Sequence, residues 1–205
     1  MRTGLRRHSS DFYTAICVSK ELFNISFHYF ETLPKGKVRE TKFEKNPPDF
    51  PKMVAATTTL VLAIELMFKA LSLTANGTAA DTHDLTRLFK DLPLALKTDI
   101  QKIYSSLFND IPEKAVTKYT FHIAPSHIKP TTEDLNSLDA IPDPKDDVLA
   151  LLTLERHAFV TWRYLHEKAK PTGVFGILIH FNHLIMLYRA IEQHTVVKSL
   201  MQKRT

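Results

Sequence analysis

Glycine is scarce in this sequence, with five residues among 205. Because sandwiches and barrels of short β-strands need many glycine-containing turns, this scarcity disfavours an all-β fold. Cysteine is scarcer still. The single Cys17 excludes a disulfide within the chain, and such sparing use of cysteine is typical of a reducing compartment.

We also find no long uninterrupted apolar run in the sequence. The apolar stretch 174–188 is interrupted by His180, Asn182 and His183, so it is too short and too polar to span a bilayer. The basic first ten residues are not followed by the apolar segment of a secretory signal. We therefore expect a soluble, cytoplasmic protein that makes no membrane contact.

Neither sign of charge dominates, and the familiar catalytic motifs are absent. Lys and Arg number 27 against 22 Asp and Glu, an excess that permits a nucleic-acid partner without requiring one. The sequence contains no phosphate-binding P-loop, no glycine-rich dinucleotide turn, no nucleophile elbow and no cysteine spacing for metal. We expect no cofactor.

Apolar residues, 44% of the chain, are abundant enough for a sizeable core, and they recur mostly at helical spacing. Prolines cluster in 34–51 and 112–144, which places connectors there. We predict an all-α fold, an up-and-down helical bundle of five to six helices in a single domain, 1–205, with an irregular connector at about 110–143. The predicted helices cover residues 10–33, 51–75, 82–92, 94–109, 150–169 and 173–201.

The predicted helix 150–169 carries charged residues beside its apolar face. Arg156, Arg163 and Glu167 are spaced to fall on nearly one stripe of that helix. A charged group at the edge of a packed interface must be paired or reach water. We therefore predict that Arg163 pairs either with Glu167 or with Glu65 of the second helix.

Three small polar groups have both a structural and a functional interpretation. Taken alone, each is explained as an i,i+4 helix pair, a helix cap or an ion pair within one helix. Since all three lie at the edges of core-facing stripes, we predict that they converge between the second, third and fifth helices. These groups are Glu65 with Lys69, His83 with Asp84, and Arg163 with Glu167.

Histidine is plentiful, and His180 and His183 share one face of the last predicted helix. Two imidazoles at this spacing could hold one metal ion, or they could form a polar patch on a packed helix. No acidic residue follows them in the sequence until Glu192. We expect no metal site.

In order along the chain, ELMFKAL, THDLTRLFKDLP and AFVTWRYLHE resemble the motifs of the HEPN superfamily of small helical domains. Many members show a Glu-x-x-x-Lys helix, a His-Asp-Leu helix start and a Trp-Arg-Tyr-x-x-Glu helix in this order. The resemblance covers about residues 53–168. It implies a helical bundle, frequently a homodimer, that binds RNA, a nucleotide or a cognate partner protein, often in bacterial defence and toxin–antitoxin systems.

One departure from the family concerns catalysis. Nuclease members carry an Arg followed after four to six residues by a His, whereas only two residues separate Arg163 from His166. The two still share a helix face, so a metal-independent ribonuclease with Arg163 and His166 as catalytic residues is one alternative. A non-catalytic structural interaction protein is the other. The missing spacing favours binding of RNA, a nucleotide or a partner without cleavage.

Overall fold

The computed structural model describes residues 3–32, 50–78, 81–110, 119–123, 131, 141, 143–156, 158, 175–194 and 197. Within these ranges the chain is mostly helical, which confirms the all-α prediction. The described residues form six helices and one two-stranded sheet. In chain order the elements are α1 (Thr3–Glu31), α2 (Phe50–Asn76), α3 (Leu85–Lys90), α4 (Leu94–Asn109), β1 (Tyr119–Ile123), α5 (Val148–Leu154), β2 (Phe175–Ile179) and α6 (Phe181–Gln193).

The central helix of the fold is α2, whose apolar residues match the predicted helix 51–75. It is buried on several sides and contacts α1, α3 and α6. The helix ends where the sequence predicts, because Gly77 adopts φ +74° and donates its N–H to the carbonyl of Leu73 at 3.0 Å. By length and composition alone, α2 is long and apolar enough to cross a membrane, and 61% of its most apolar window is buried inside the molecule.

Small residues bring α1 and α2 together. The hydroxyl of Ser19 donates to the carbonyl of Ala63 at 2.8 Å, and that of Ser26 donates to Ala56 at 2.7 Å. A step of seven residues forward in α1 therefore matches a step of seven backward in α2, so the two helices are antiparallel. Because serine and alanine are short, the two backbones approach closely enough for these bonds to form.

Aromatic contacts place α6 against α1 in the same way. The ring of Phe23 stacks on Tyr188 with centroids 4.0 Å apart, and Phe30 stacks on Phe181 at 4.5 Å. These pairs again run in opposite directions along the two helices. Buried residues from all six helices join one continuous apolar core.

The predicted last helix, 173–201, is wrong at its beginning. Residues Phe175–Ile179 form β2, which pairs antiparallel with β1 in the register Tyr119 opposite Ile179, and the helix α6 begins only at Phe181. A short run of apolar residues fits a buried strand as well as a buried helix, and pairing with β1 decides between them. The strand β1 lies inside the predicted irregular connector.

The predicted helix 150–169 is also wrong as a single helix. It begins at Val148, where the side chain of Asp147 caps it by accepting from the N–H groups of Leu149 and Ala150, and it ends at Leu154. Glu155 and Arg156 form a turn. The buried carboxylate of Glu155 accepts a hydrogen bond from the backbone N–H of His180, the residue before α6. Residues 159–170 of the predicted helix lie outside the described residues.

Candidate functional site

The three residues before α3 connect it to its neighbours. Asp84 is the N-cap of α3 and accepts from the N–H of Arg87 at 3.1 Å, while the Thr82 hydroxyl accepts from the N–H of Asp84 at 3.1 Å. The predicted cap was Asp81 or Thr82 with Asp84 taking part, and Asp84 is the capping residue. These local bonds fix the backbone that carries His83.

Glu65 of α2 is the buried centre of the site. Its carboxylate is 2.8 Å from Nζ of Lys69, one turn along the same helix, and both of its oxygens are 3.0 Å from Nδ1 of His83. The Glu65 side chain is 3% exposed, against 24% for Lys69 and 54% for His83. The structure thus brings together three of the predicted site residues, with the acid inside and the bases toward water.

Asp84 links the site to the end of α5. One carboxylate oxygen caps α3, and the other is 2.7 Å from Nε of Arg156, whose side chain is 55% exposed. The hydroxyl of Thr86 also donates to the carbonyl of Leu152 at 2.6 Å. We use the name α3 junction for the five residues that are linked through His83 and Asp84 at the start of α3. They are Glu65, Lys69, His83, Asp84 and Arg156.

The remaining predicted site residues are Arg163, His166 and Glu167, and all three lie outside the described residues. The predicted pairing of Arg163 with Glu65 or Glu167 therefore stays a prediction. Arg156 is not on the predicted helical stripe, because it belongs to the turn that follows α5.

A second polar cluster, buried in the core, was not predicted. Oε1 of Glu155 is 2.9 Å from both the backbone nitrogen and Nδ1 of His180, and Nδ1 of His183 is 2.6 Å from the hydroxyl of Tyr104. The sequence places no acidic residue between His183 and Glu192, and the fold supplies Glu155 from the end of α5 instead. The His180–His183 spacing was visible in the sequence, but no local signal indicated which residues would meet them.

Burial determines the charge states in this second cluster. It lowers the pKa of His183 to about 4, an effect strengthened by neighbouring His180 and opposed by Asp143. Burial also raises the pKa of Tyr104, with smaller contributions from Asp146 and Asp147. At neutral pH the ring of His183 is therefore uncharged and the hydroxyl of Tyr104 keeps its proton.

An open groove of about 560 Å³ lies beside the ends of α4 and α6. Nε2 of His194 is 3.3 Å from Asp99 within it, and Lys102 and Asp110 add charges of opposite sign. None of the predicted site residues lines this groove. Its mixed charge favours no particular class of ligand.

Comparison with known proteins assigns no family to the chain. No family model, curated protein or solved structure matched it. The side chains of the α3 junction are therefore the evidence for the class of ligand. A buried carboxylate that positions a lysine and a histidine, next to an aspartate that positions an arginine, presents basic groups suited to binding an anion.

Proposed function

We propose that this chain is a HEPN-like helical module that binds single-stranded RNA at the α3 junction without cleaving it. Three basic side chains support the proposal, since Lys69, His83 and Arg156 are each held by an acidic partner and remain partly exposed. Lys69 and His83 also belong to the segments that resemble HEPN motifs, and this resemblance supports RNA as the ligand. A cytoplasmic location and a homodimer belong to the same proposal.

The arrangement of Arg156 is the observation that carries the proposal. It bonds Asp84 through Nε, so its terminal nitrogens retain four N–H donors in the planar geometry that suits phosphate oxygens. Anchoring by Asp84 also reduces the side-chain entropy that would be lost when RNA binds. Lys69 is fixed in the same way by Glu65.

The spacing of Arg163 and His166 in the sequence supports binding without cleavage. Transfer of a proton to or from a ribose would need a histidine and an arginine arranged around one phosphate. Arg163 and His166 lack the spacing of the nuclease members of the family. A mononucleotide or a partner protein as the true ligand, and cleavage of RNA, are the alternative results of the experiment.

The experiment measures binding of a fluorescent single-stranded RNA by anisotropy across a range of salt concentrations, with a gel of the same samples to detect cleavage. We expect Arg156→Gln and Lys69→Gln each to weaken binding roughly 5-fold, about 1 kcal/mol. Each should also lower the slope of log affinity against log salt by about 0.7, because one phosphate contact is lost.

Arg189→Gln and Lys20→Gln are the matched controls, since both side chains are exposed and lie on α6 and α1. Circular dichroism establishes that each variant is folded. Wild-type affinity in Arg156→Gln and Lys69→Gln, or equal losses in the controls, would contradict the proposal. Displacement of RNA by a mononucleotide would identify the smaller ligand, and cleavage in EDTA would identify the ribonuclease.

A further inference from the structure

Two buried histidines at the start of α6 have the same arrangement of partners. The side chain of His180 is fully buried and its Nδ1 is 2.9 Å from Oε1 of Glu155. His183 is 1% exposed and its Nδ1 is 2.6 Å from the hydroxyl of Tyr104. In both rings the nitrogen that carries the contact is Nδ1, and the other nitrogen is Nε2.

The partners determine which nitrogen carries the proton. A carboxylate only accepts, so neutral His180 donates Nδ1–H to Glu155 and keeps a lone pair on Nε2. The hydroxyl of Tyr104 is 3.3 Å from the carbonyl of Lys145 and can donate its proton there while it accepts from Nδ1–H of His183. His183 then keeps its lone pair on Nε2 as well.

Both Nε2 atoms are buried and, among the residues that the structure describes, neither has a hydrogen-bond partner. A buried acceptor without a donor is unfavourable by about 1–3 kcal/mol, so two side by side call for an explanation. The rings of His180 and His183 are nearly perpendicular, with centroids 6.0 Å apart. Two imidazoles bound through Nε2 to one zinc ion lie at roughly 5–6 Å, given Zn–N bonds of about 2.0 Å.

An acidic side chain stands at the edge of this pair. Oδ1 of Asp143 is 3.8 Å from Nε2 of His180, and the charge of Asp143 also acts on His183. The Asp143 side chain is 57% exposed, and it would have to exchange its present contacts for the two rings by a change of rotamer. Our expectation of no metal site rested on the lack of an acidic neighbour along the chain, and the fold supplies one.

We propose that His180, His183 and Asp143 bind one divalent transition-metal ion of the zinc type, with Glu155 and Tyr104 orienting the two rings. Imidazole nitrogens and a carboxylate oxygen are ordinary zinc ligands, and a ligating histidine almost always donates its other N–H to such a partner. In the described ranges no three such side chains yet converge on one point. The 3.8 Å separation shows that Asp143 must move inward to complete the site.

This site is distinct from the α3 junction and does not depend on RNA binding. The test uses the full chain, stripped with EDTA and dialysed, then titrated with Co²⁺ and with Zn²⁺. We expect one equivalent of Co²⁺ to produce the visible absorption of a four- or five-coordinate site, and Zn²⁺ to displace it. Zinc should also raise the melting temperature in proportion to the logarithm of its concentration above the Kd.

Two variants keep the test decisive. Asp143→Asn, at an exposed position, should leave the fold intact and weaken metal binding at least 10-fold, and His183→Gln should abolish the Co²⁺ spectrum. His28→Gln is the matched control, because His28 is an exposed histidine on α1. Absence of saturable binding, or binding in Asp143→Asn and His183→Gln equal to that of the wild type, would overturn the proposal and leave a bridging water as the occupant.

Discussion

Glu65 shows how one buried charge is stabilised at the residue scale. A carboxylate at 3% exposure would be costly alone, and two bases held within 3.0 Å offset its lost hydration. Lys69 supplies a positive charge, and His83 donates a hydrogen bond from Nδ1 to the carboxylate of Glu65.

We expect Lys69→Met to destabilise the fold by about 1–2 kcal/mol, because His83 is then the only partner that Glu65 keeps among the residues that the structure describes. The expected loss of unfolding free energy is smaller than for a fully buried ion pair, because the Lys69 side chain is 24% exposed and His83 still contacts Glu65. Urea denaturation measures the free energy of unfolding. Lys102→Met, on an exposed part of α4, is the control and should change it by less than about 0.5 kcal/mol. Equal effects in the two variants would refute this role of Lys69.

Tyr188 predicts a response to alkaline pH. Burial raises the pKa of Tyr188 to about 12, with the nearby hydroxyl of Ser19 opposing the effect and Glu192 adding to it. Because the unfolded tyrosine ionises near 10, the unfolded state loses its proton first. Stability from this group is therefore complete below pH 10 and is lost as pH rises toward 12.

Between pH 8 and pH 11 we expect the wild type to lose roughly 1.4 kcal/mol more stability than Tyr188→Phe, which cannot ionise. Urea unfolding of both proteins at both pH values gives this difference, and contributions from Tyr104 and the lysines cancel in it. Parallel losses in the two proteins would show that Tyr188 ionises normally in the folded state.

At the element scale, the antiparallel contact of α1 with α2 depends on small side chains. Ala63 is fully buried, and its carbonyl accepts from Ser19. We expect Ala63→Leu to lower the free energy of unfolding by about 1–3 kcal/mol, because three extra carbons must fit between two closely spaced backbones. Thermal unfolding followed by circular dichroism measures the loss.

Ala75→Leu is the control for this substitution, since Ala75 is an exposed residue of the same helix. Helix propensity changes equally in the two variants, so any difference between them reports packing. A Tm for Ala63→Leu within one degree of the control would mean that α1 can shift to accommodate the larger side chain.

At the scale of the whole molecule, the open question is self-association. The described apolar residues of α6 are mostly buried inside the chain, so they give no reason of their own to expect a dimer. The resemblance to HEPN domains still predicts one. By light scattering at high micromolar concentration we expect a mass twice that of the 23.5 kDa chain. A monomer mass would contradict the prediction.

The sequence alone determined α2 and α4. The helix predicted over 94–109 is α4, Leu94–Asn109, and the one predicted over 51–75 is α2, because helical periodicity and the stop signal at Asn76-Gly77 are both local properties. It also indicated that Glu65 and Lys69 would pair, since residues four apart on a helix are neighbours.

Only the tertiary structure decided the rest. β2 became a strand because β1 lies beside it, and α5 stops where Glu155 meets His180 across the core. Contacts between residues distant in sequence, such as Tyr104 with His183, leave no periodic trace in the chain. A short apolar run fits more than one structure, and the surrounding elements select the one that satisfies its backbone and its buried polar groups.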